Sequence, residues 1–209
     1  MLPEPISLHG RTVTLTPINE RDIDAQTRAV AETISPGVLD MLCGTPETTN
    51  HEDLREYLLA FVRGDARVPF LVTNTESGAP LGLTCYLSER PDDRAVEIGG
   101  TWLRKEAHGS AANPDMKLAM LRHAFEDLGL ARVQLRGDNL NERSKAAIEK
   151  LGAHFEGVLR KHIPVRRCDG TLERLRDTFV YSITDDEWPA CRAKIEAYLE
   201  SRLTKPIQI

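Results

Sequence analysis

Residues 95–157 read AVEIGGTWLRKEAHGSAANPDMKLAMLRHAFEDLGLARVQLRGDNLNERSKAAIEKLGAHFEG, and the order of their parts decides the fold. A strand that alternates apolar and polar residues runs into a loop of small residues at 108–113. An amphipathic helix follows, with Met116, Leu118, Met120, Leu121, Ala124, Phe125 and Leu128 forming a broad apolar face. Asn113 is expected to cap that helix, with Pro114 in its first turn and Gly129 at its end. A second strand and a second helix, led by Asn141, complete the unit. A small-residue loop between strand and helix bares backbone N–H groups to an anion. The same stretch carries a carboxylate between two apolar neighbours (Glu97) and a hydroxyl (Ser144). Together they point to group transfer on a phosphate-bearing cofactor.

Working outward, residues 11–18 alternate as a strand, and a helix is expected from Asn19 to the Ser35-Pro36-Gly37 break. A further helix follows Asn50, its capping residue, with Leu54, Leu58 and Phe61 at helical spacing and Gly64 at its exit. VPFLVTN and LGLTCYLSE flank the turn cluster TESGAP and form a hairpin. A late hairpin is expected around Cys168-Asp169-Gly170-Thr171, then a terminal helix over about 185–203. A βαβ crossover between two hairpins predicts an α/β (α+β) fold. Its sheet is mixed and mostly antiparallel, with one central parallel pair.

A chain of 209 residues with 41% hydrophobic and 28% charged residues suits one globular domain over 1–209. The net charge of −5 argues against a nucleic-acid or anionic-membrane partner. No basic-then-apolar leader opens the chain, and no run approaches the roughly 20 apolar residues of a membrane span. Cys43, Cys85, Cys168 and Cys191 are scattered, so neither a zinc site nor a disulfide framework is expected, and a cytoplasmic protein is. No residues at metal-ligand spacing suggest a metal.

The stretch resembles the GNAT superfamily of acyl-CoA-dependent N-acyltransferases, and within it the RimJ/RimL-like branch. The resemblance is carried by Glu97-Ile98-Gly99, Trp102-Leu103, the loop His108-Gly109-Ser110-Ala111-Ala112-Asn113, Asn141-Glu142-Arg143-Ser144 and Lys150-Leu151-Gly152-Ala153. It implies a sheet whose parallel pair splays around acetyl-CoA as co-substrate. It also implies acetyl transfer to a primary amine, a protein or peptide N-terminus or a small amine, by direct attack in a ternary complex. Glu97 would deprotonate or bind the amine. Residues 108–113 would cradle the pyrophosphate, Thr101 and Leu103 would pair their backbone with the pantetheine amides, and Asn141 would bond the pantetheine arm. Ser144 would lie near the sulfur and protonate it as a thiolate.

Several positions depart from the family pattern. His108 stands where Gln or Arg is usual and lacks Arg's fixed charge, Ala111 where glycine is usual, with Asn113 in register with the last Gly or Ala of the loop, and Ile148 where many members place a tyrosine acid. Plainer roles stay open: a solvated Glu97, Asn113 and Asn141 as simple caps, Trp102 as a core or rim aromatic. The departures also leave open a non-catalytic acyl-CoA-binding regulatory or assembly module. A nucleotide-binding Rossmann unit is disfavoured, because no glycine-rich fingerprint follows the first strand. The basic run Arg160, Lys161, His162, Arg166 and Arg167 reads as a solvated strand face, with a contact for an anionic substrate or the cofactor's phosphates as the alternative. Ile163, Val165, Phe179 and Tyr181 are candidates for a homodimer face.

Overall fold

In the computed structural model of the protein, residues 5–42, 49–64, 67–87, 93–166 and 171–203 are described. Cys43, Cys168, Arg167 and the Asp169-Gly170 turn lie outside them. The strands are β1 (Leu8–His9), β2 (Val13–Pro17), β3 (Arg67–Asn74), β4 (Pro80–Leu87), β5 (Ala95–Leu103), β6 (Arg132–Asp138), β7 (His154–Arg166) and β8 (Leu172–Thr184). The helices are α1 (Ile23–Ala31), α2 (His51–Arg63), α3 (Ala112–Arg122), α4 (Glu142–Glu149) and α5 (Trp188–Leu203). The sheet order is β1-β2-β3-β4-β5-β6-β8-β7, antiparallel throughout except for the parallel pair β5–β6. This is the mixed sheet expected from the sequence.

Alternation along the strands gives the sheet two apolar faces. Val68, Phe70, Tyr86, Val96 and Ile98 pack with Met116, Met120 and Leu121 of α3 and Ile195 of α5. Leu71, Leu83, Cys85 and Trp102 pack on the other side with Ile23, Leu54 and Leu58 of α1 and α2. Helices thus cover both faces, and each buried large side chain stabilises the fold by about 1.5–3 kcal/mol before entropy is counted. Trp102 belongs to this core, its indole N–H donating to Thr33 Oγ1 at 3.0 Å.

Two irregularities shape the centre. The β5–β6 pairing covers only Ala95↔Arg132, Val96↔Val133 and Glu97↔Gln134, after which residues 98–103 and 135–138 part. On the other edge of β5 the register shifts between Leu83 and Cys85, so Gly100 and Thr101 stand opposite Thr84. Gly100 adopts φ +57, a left-handed conformation that glycine enters without a Cβ penalty. The bulge reverses the alternation, turning Thr101 toward α3 and Trp102 toward α2.

Several expectations need correction. α1 starts at Ile23, four residues past Asn19, whose side chain instead accepts from Asp22 N–H in a turn. α3 starts at Ala112, so Asn113 lies inside it and does not cap it; Ala111 stands at the N-cap, and the Ser110 hydroxyl before it accepts from Ala112 N–H at 3.1 Å. Pro114 fits the third helical position because the N–H it lacks belongs to the turn that has no intrahelical partners. Phe179 and Tyr181, candidates for a dimer face, are 0% and 4% exposed within the α3–α5 core. Asn50 does cap α2, accepting from Asp53 N–H at 2.9 Å.

Asp115 of α3 ties the helix to the sheet edge. Its carboxylate accepts from Thr12 N–H (2.6 Å), Thr12 Oγ1 (2.9 Å) and Val13 N–H (3.2 Å) and is 1% exposed. Asp115→Ala would strand these donors, so urea unfolding should show a loss of about 2–4 kcal/mol. A loss below about 0.5 kcal/mol would show that the tie contributes nothing.

Candidate active site

Where β5 and β6 part, a cleft of about 460 Å³ opens through the sheet. Gly99 and Thr101 of β5, Arg136 of β6, Asn113 and Lys117 of α3 and Ser144 of α4 all line it. Among the described residues the edge of β5 beyond Glu97 has no strand partner on this side, which leaves extended backbone able to pair with a ligand.

The loop from β5 to α3 forms one end. A short 3-10 turn, Lys105–Ala107, is followed by Gly109 at φ +75, with nothing within 4 Å of where a Cβ would stand. Ala111 adopts φ −69, so its methyl costs no backbone strain and points into the core at 2% exposure. The left-handed turn the loop needs is supplied at Gly109. Among the described residues the N–H groups of Gly109, Ala111 and Asn113 have no hydrogen-bond partner. They gather at the positive end of an 11-residue helix, suited to an anion.

His108 does not reach toward such an anion. Its Nε2 meets the Leu103 carbonyl at 2.9 Å and its Nδ1 meets Arg143 Nη1 at 3.2 Å. A carbonyl only accepts and a guanidinium only donates, so the ring is neutral with its proton on Nε2. Burial lowers its pKa, and the Arg143 cation lowers it further. The Leu103 carbonyl is therefore engaged by His108. Arg143 brings to the loop the fixed cation that His108 lacks, and Arg202 Nη1 donates to the Gly109 carbonyl at 3.3 Å.

Glu97 lies on the α1–α2 side of the sheet, 12% exposed at the side chain and paired with Arg136 at 2.5 Å. The ion pair fixes the carboxylate in direction. Tyr57 and Phe61 of α2, with Arg67 of β3, line the cleft on this side, and burial pushes the Tyr57 phenol up. From the opposite side Lys117 Nζ donates to Thr101 Oγ1 at 3.0 Å, and Thr101 Oγ1 lies 2.8 Å from Thr84 Oγ1. Lys117 is 6% exposed, and burial brings its pKa down to about 7.

Asn141 caps α4, its Oδ1 accepting from Ser144 N–H at 3.0 Å, so its amide N–H₂ is what remains for a ligand. The Ser144 hydroxyl lines the cleft with no hydrogen-bond partner among the described residues. Ile148, 6% exposed, lies one turn farther on and offers no acid. Glu97, Thr101, Leu103, His108, Gly109, Asn113, Asn141 and Ser144 thus share one cleft, while Ser110, Ala111 and Ala112 shape its loop. Sequence reading missed Arg136, Arg143, Lys117 and Tyr57. Lys117 had a visible signal, a lone cation on an apolar helix face; Arg136 had none, because only the parallel register brings it to Glu97.

Comparison with known proteins agrees with this architecture. The sequence matches the Acetyltransferase (GNAT) domain family over residues 12–154. A candidate acetyltransferase from T. thermophilus is 36% identical, with TM-score 0.82, 95% of this chain and 100% of that chain covered. A GCN5-related N-acetyltransferase from Brucella melitensis is 26% identical, with TM-score 0.82 and coverage of 94% and 86%. RimJ of Mycobacterium smegmatis, solved in complex with CoA-disulfide, shares the fold at 21% identity and TM-score 0.71, with coverage of 95% and 96%. No curated protein matches the sequence. The family match spans more than half of the chain and the solved relatives share its fold, and the chain belongs to the GNAT acetyltransferases.

Proposed function

We propose that this chain, acting as one domain, transfers an acetyl group from acetyl-CoA to a primary amine by direct attack in a ternary complex. The observation that carries this reading is the parted β5–β6 pair, with unpartnered N–H groups of the α3 start at one end and Glu97 at the other. The loop fits a pyrophosphate: among the described residues its N–H groups at Gly109, Ala111 and Asn113 are unpartnered, Gly109 has open space above it, and Arg143 adds a fixed charge. The exposed edge of β5 fits the amides of a pantetheine arm, as an added strand would pair. Asn141 offers its amide N–H₂ to the same arm.

Glu97 faces the side lined by α2, where an acceptor enters apart from the co-substrate. An alkyl amine is mostly protonated at neutral pH, so Glu97 binds it and takes its proton, directly or through one water. The backbone N–H groups at the bulge favour the carbonyl oxygen as it gains charge. Ser144 lines the cleft from α4 with its hydroxyl uncommitted among the described residues, and the family resemblance alone offers it to the departing thiolate. By the RimJ/RimL-like likeness, a protein or peptide N-terminus is the first acceptor to test, and small amines the second. The alternative, a non-catalytic acyl-CoA-binding module, draws on Ile148, which leaves α4 without a phenolic acid.

Glu97→Gln should lower kcat/KM for the amine by about 10²–10⁴-fold while acetyl-CoA affinity stays within a few-fold, measured by steady-state kinetics and calorimetry. Wild-type protein that binds acetyl-CoA but acetylates no peptide or amine in a broad panel would instead favour the binding module. Arg143→Ala removes a charge-assisted contact and the partner of His108, so CoA affinity should fall about 10-fold or more, with a weaker dependence on salt. Unchanged affinity would remove Arg143 from the cofactor site.

A further inference from the structure

Lys117 enters the cleft from α3, beneath the bulge of β5. It is 6% exposed, and among the described residues no carboxylate lies within 4.0 Å of its Nζ. Its hydrogen bond goes to Thr101 Oγ1 at 3.0 Å; that hydroxyl meets Thr84 Oγ1 at 2.8 Å, and Thr84 Oγ1 lies 3.6 Å from Met120 Sδ. An ammonium with three donors and one partner is costly to bury unless the cleft supplies an acceptor. The titratable groups facing it are Cys85 of β4, a neutral thiol pushed up to about 12 by burial, and Glu97 of β5, already paired with Arg136. Thr84, Thr101 and Met120 are uncharged. Among the described residues the Thr101 hydroxyl is the hydrogen-bond partner of this ammonium.

We propose that Lys117 is a positioning residue that supplies charge and a proton, through the Thr101 hydroxyl, to the sulfur leaving the acetyl group. As the C–S bond breaks and the C–N bond forms, the sulfur takes the Thr101 proton and Thr101 takes one from the Lys117 ammonium. Lys117 regains its proton from solvent, and the proton lost by the amine leaves by way of Glu97. One proton thus passes in net from nitrogen to sulfur, with no redox change. The inference rests on the acyl-transfer reading, and it fills the place that Ile148 leaves empty. A pKa brought down to about 7 suits a group that both holds and yields a proton near neutrality, and a growing negative charge in the cleft favours its ammonium form.

Two readouts test it: the pH profile of kcat, and the ultraviolet absorbance of the thiolate of bound CoA. In Lys117→Met, kcat should fall about 10²-fold with acetyl-CoA KM little changed, and the alkaline limb of the kcat profile should vanish. An acetyl thioester of a more acidic thiol should recover most of that loss. Lys117→Arg should keep more of the rate, also without the limb. The thiol of bound CoA should ionise about one pH unit lower on the wild type than on Lys117→Met, a tenfold effect. An unchanged limb, an unchanged thiol ionisation, or a rise in KM with kcat intact would each overturn the proposal. If Lys117→Met does not fold, Thr101→Val carries the same comparison. A lowered thiol pKa without turnover of any amine would leave Lys117 acting on the sulfur and contradict the transferase reading instead.

Discussion

The site depends on one constraint: two parallel strands that pair for three residues and then separate. Unpaired strand edges inside a sheet are costly, because each buried N–H and C=O must find a partner. Here the cost is contained by short pairing, by the His108 ring on the Leu103 carbonyl and by a bulge that shifts the other edge of β5. What remains unpaired is backbone that a ligand can pair with. The two faces of the opening differ in kind: α3 and α4 bring helix N–H groups, hydroxyls and Lys117, while α2 and β3 bring aromatics and Arg67 around Glu97.

The order strand, small-residue loop, helix, strand, Asn-led helix was legible in the sequence because each boundary has a local cause. Asn50 and Asn141 accept from the N–H three residues on, and Gly129, after the π-helical turn His123–Asp127 that continues α3, and Gly152, after α4, take left-handed conformations. The start of α3 was misplaced because Asn113 before Pro114 looks like a cap, whereas the helix begins at Ala112, whose N–H the Ser110 hydroxyl accepts. Local pattern could not separate the two. Phe179 and Tyr181 were misassigned because alternation tells which residues share a face but not which face is covered. Among the described residues, Phe155, Val158, Leu159, Leu172 and Leu175 are the exposed large apolar side chains of β7 and β8.

The site was half legible. Glu97, the loop 108–113, Asn141 and Ser144 come from one contiguous stretch, so motif and spacing could gather them. The groups that set their electrostatics come from register and packing. Arg136 meets Glu97 across 39 residues of chain, and Arg143 meets His108 across 35. His108, read as lacking Arg's fixed charge, instead meets the Arg143 guanidinium through Nδ1. Ala111, read as a strained substitute for glycine, is unstrained because Gly109 takes the left-handed turn. Both departures from the family pattern thus leave the loop geometry intact.

The central claim is that the N–H groups at the start of α3 and along the open edge of β5 receive the co-substrate. Residue-resolved amide hydrogen exchange with and without acetyl-CoA tests it most directly. The account predicts slower exchange at Gly109, Ala111 and Asn113 and along 98–103, with α5 and the β7–β8 ribbon unchanged. Exchange that stays as fast at those amides under saturating acetyl-CoA, or slows only elsewhere, would contradict it.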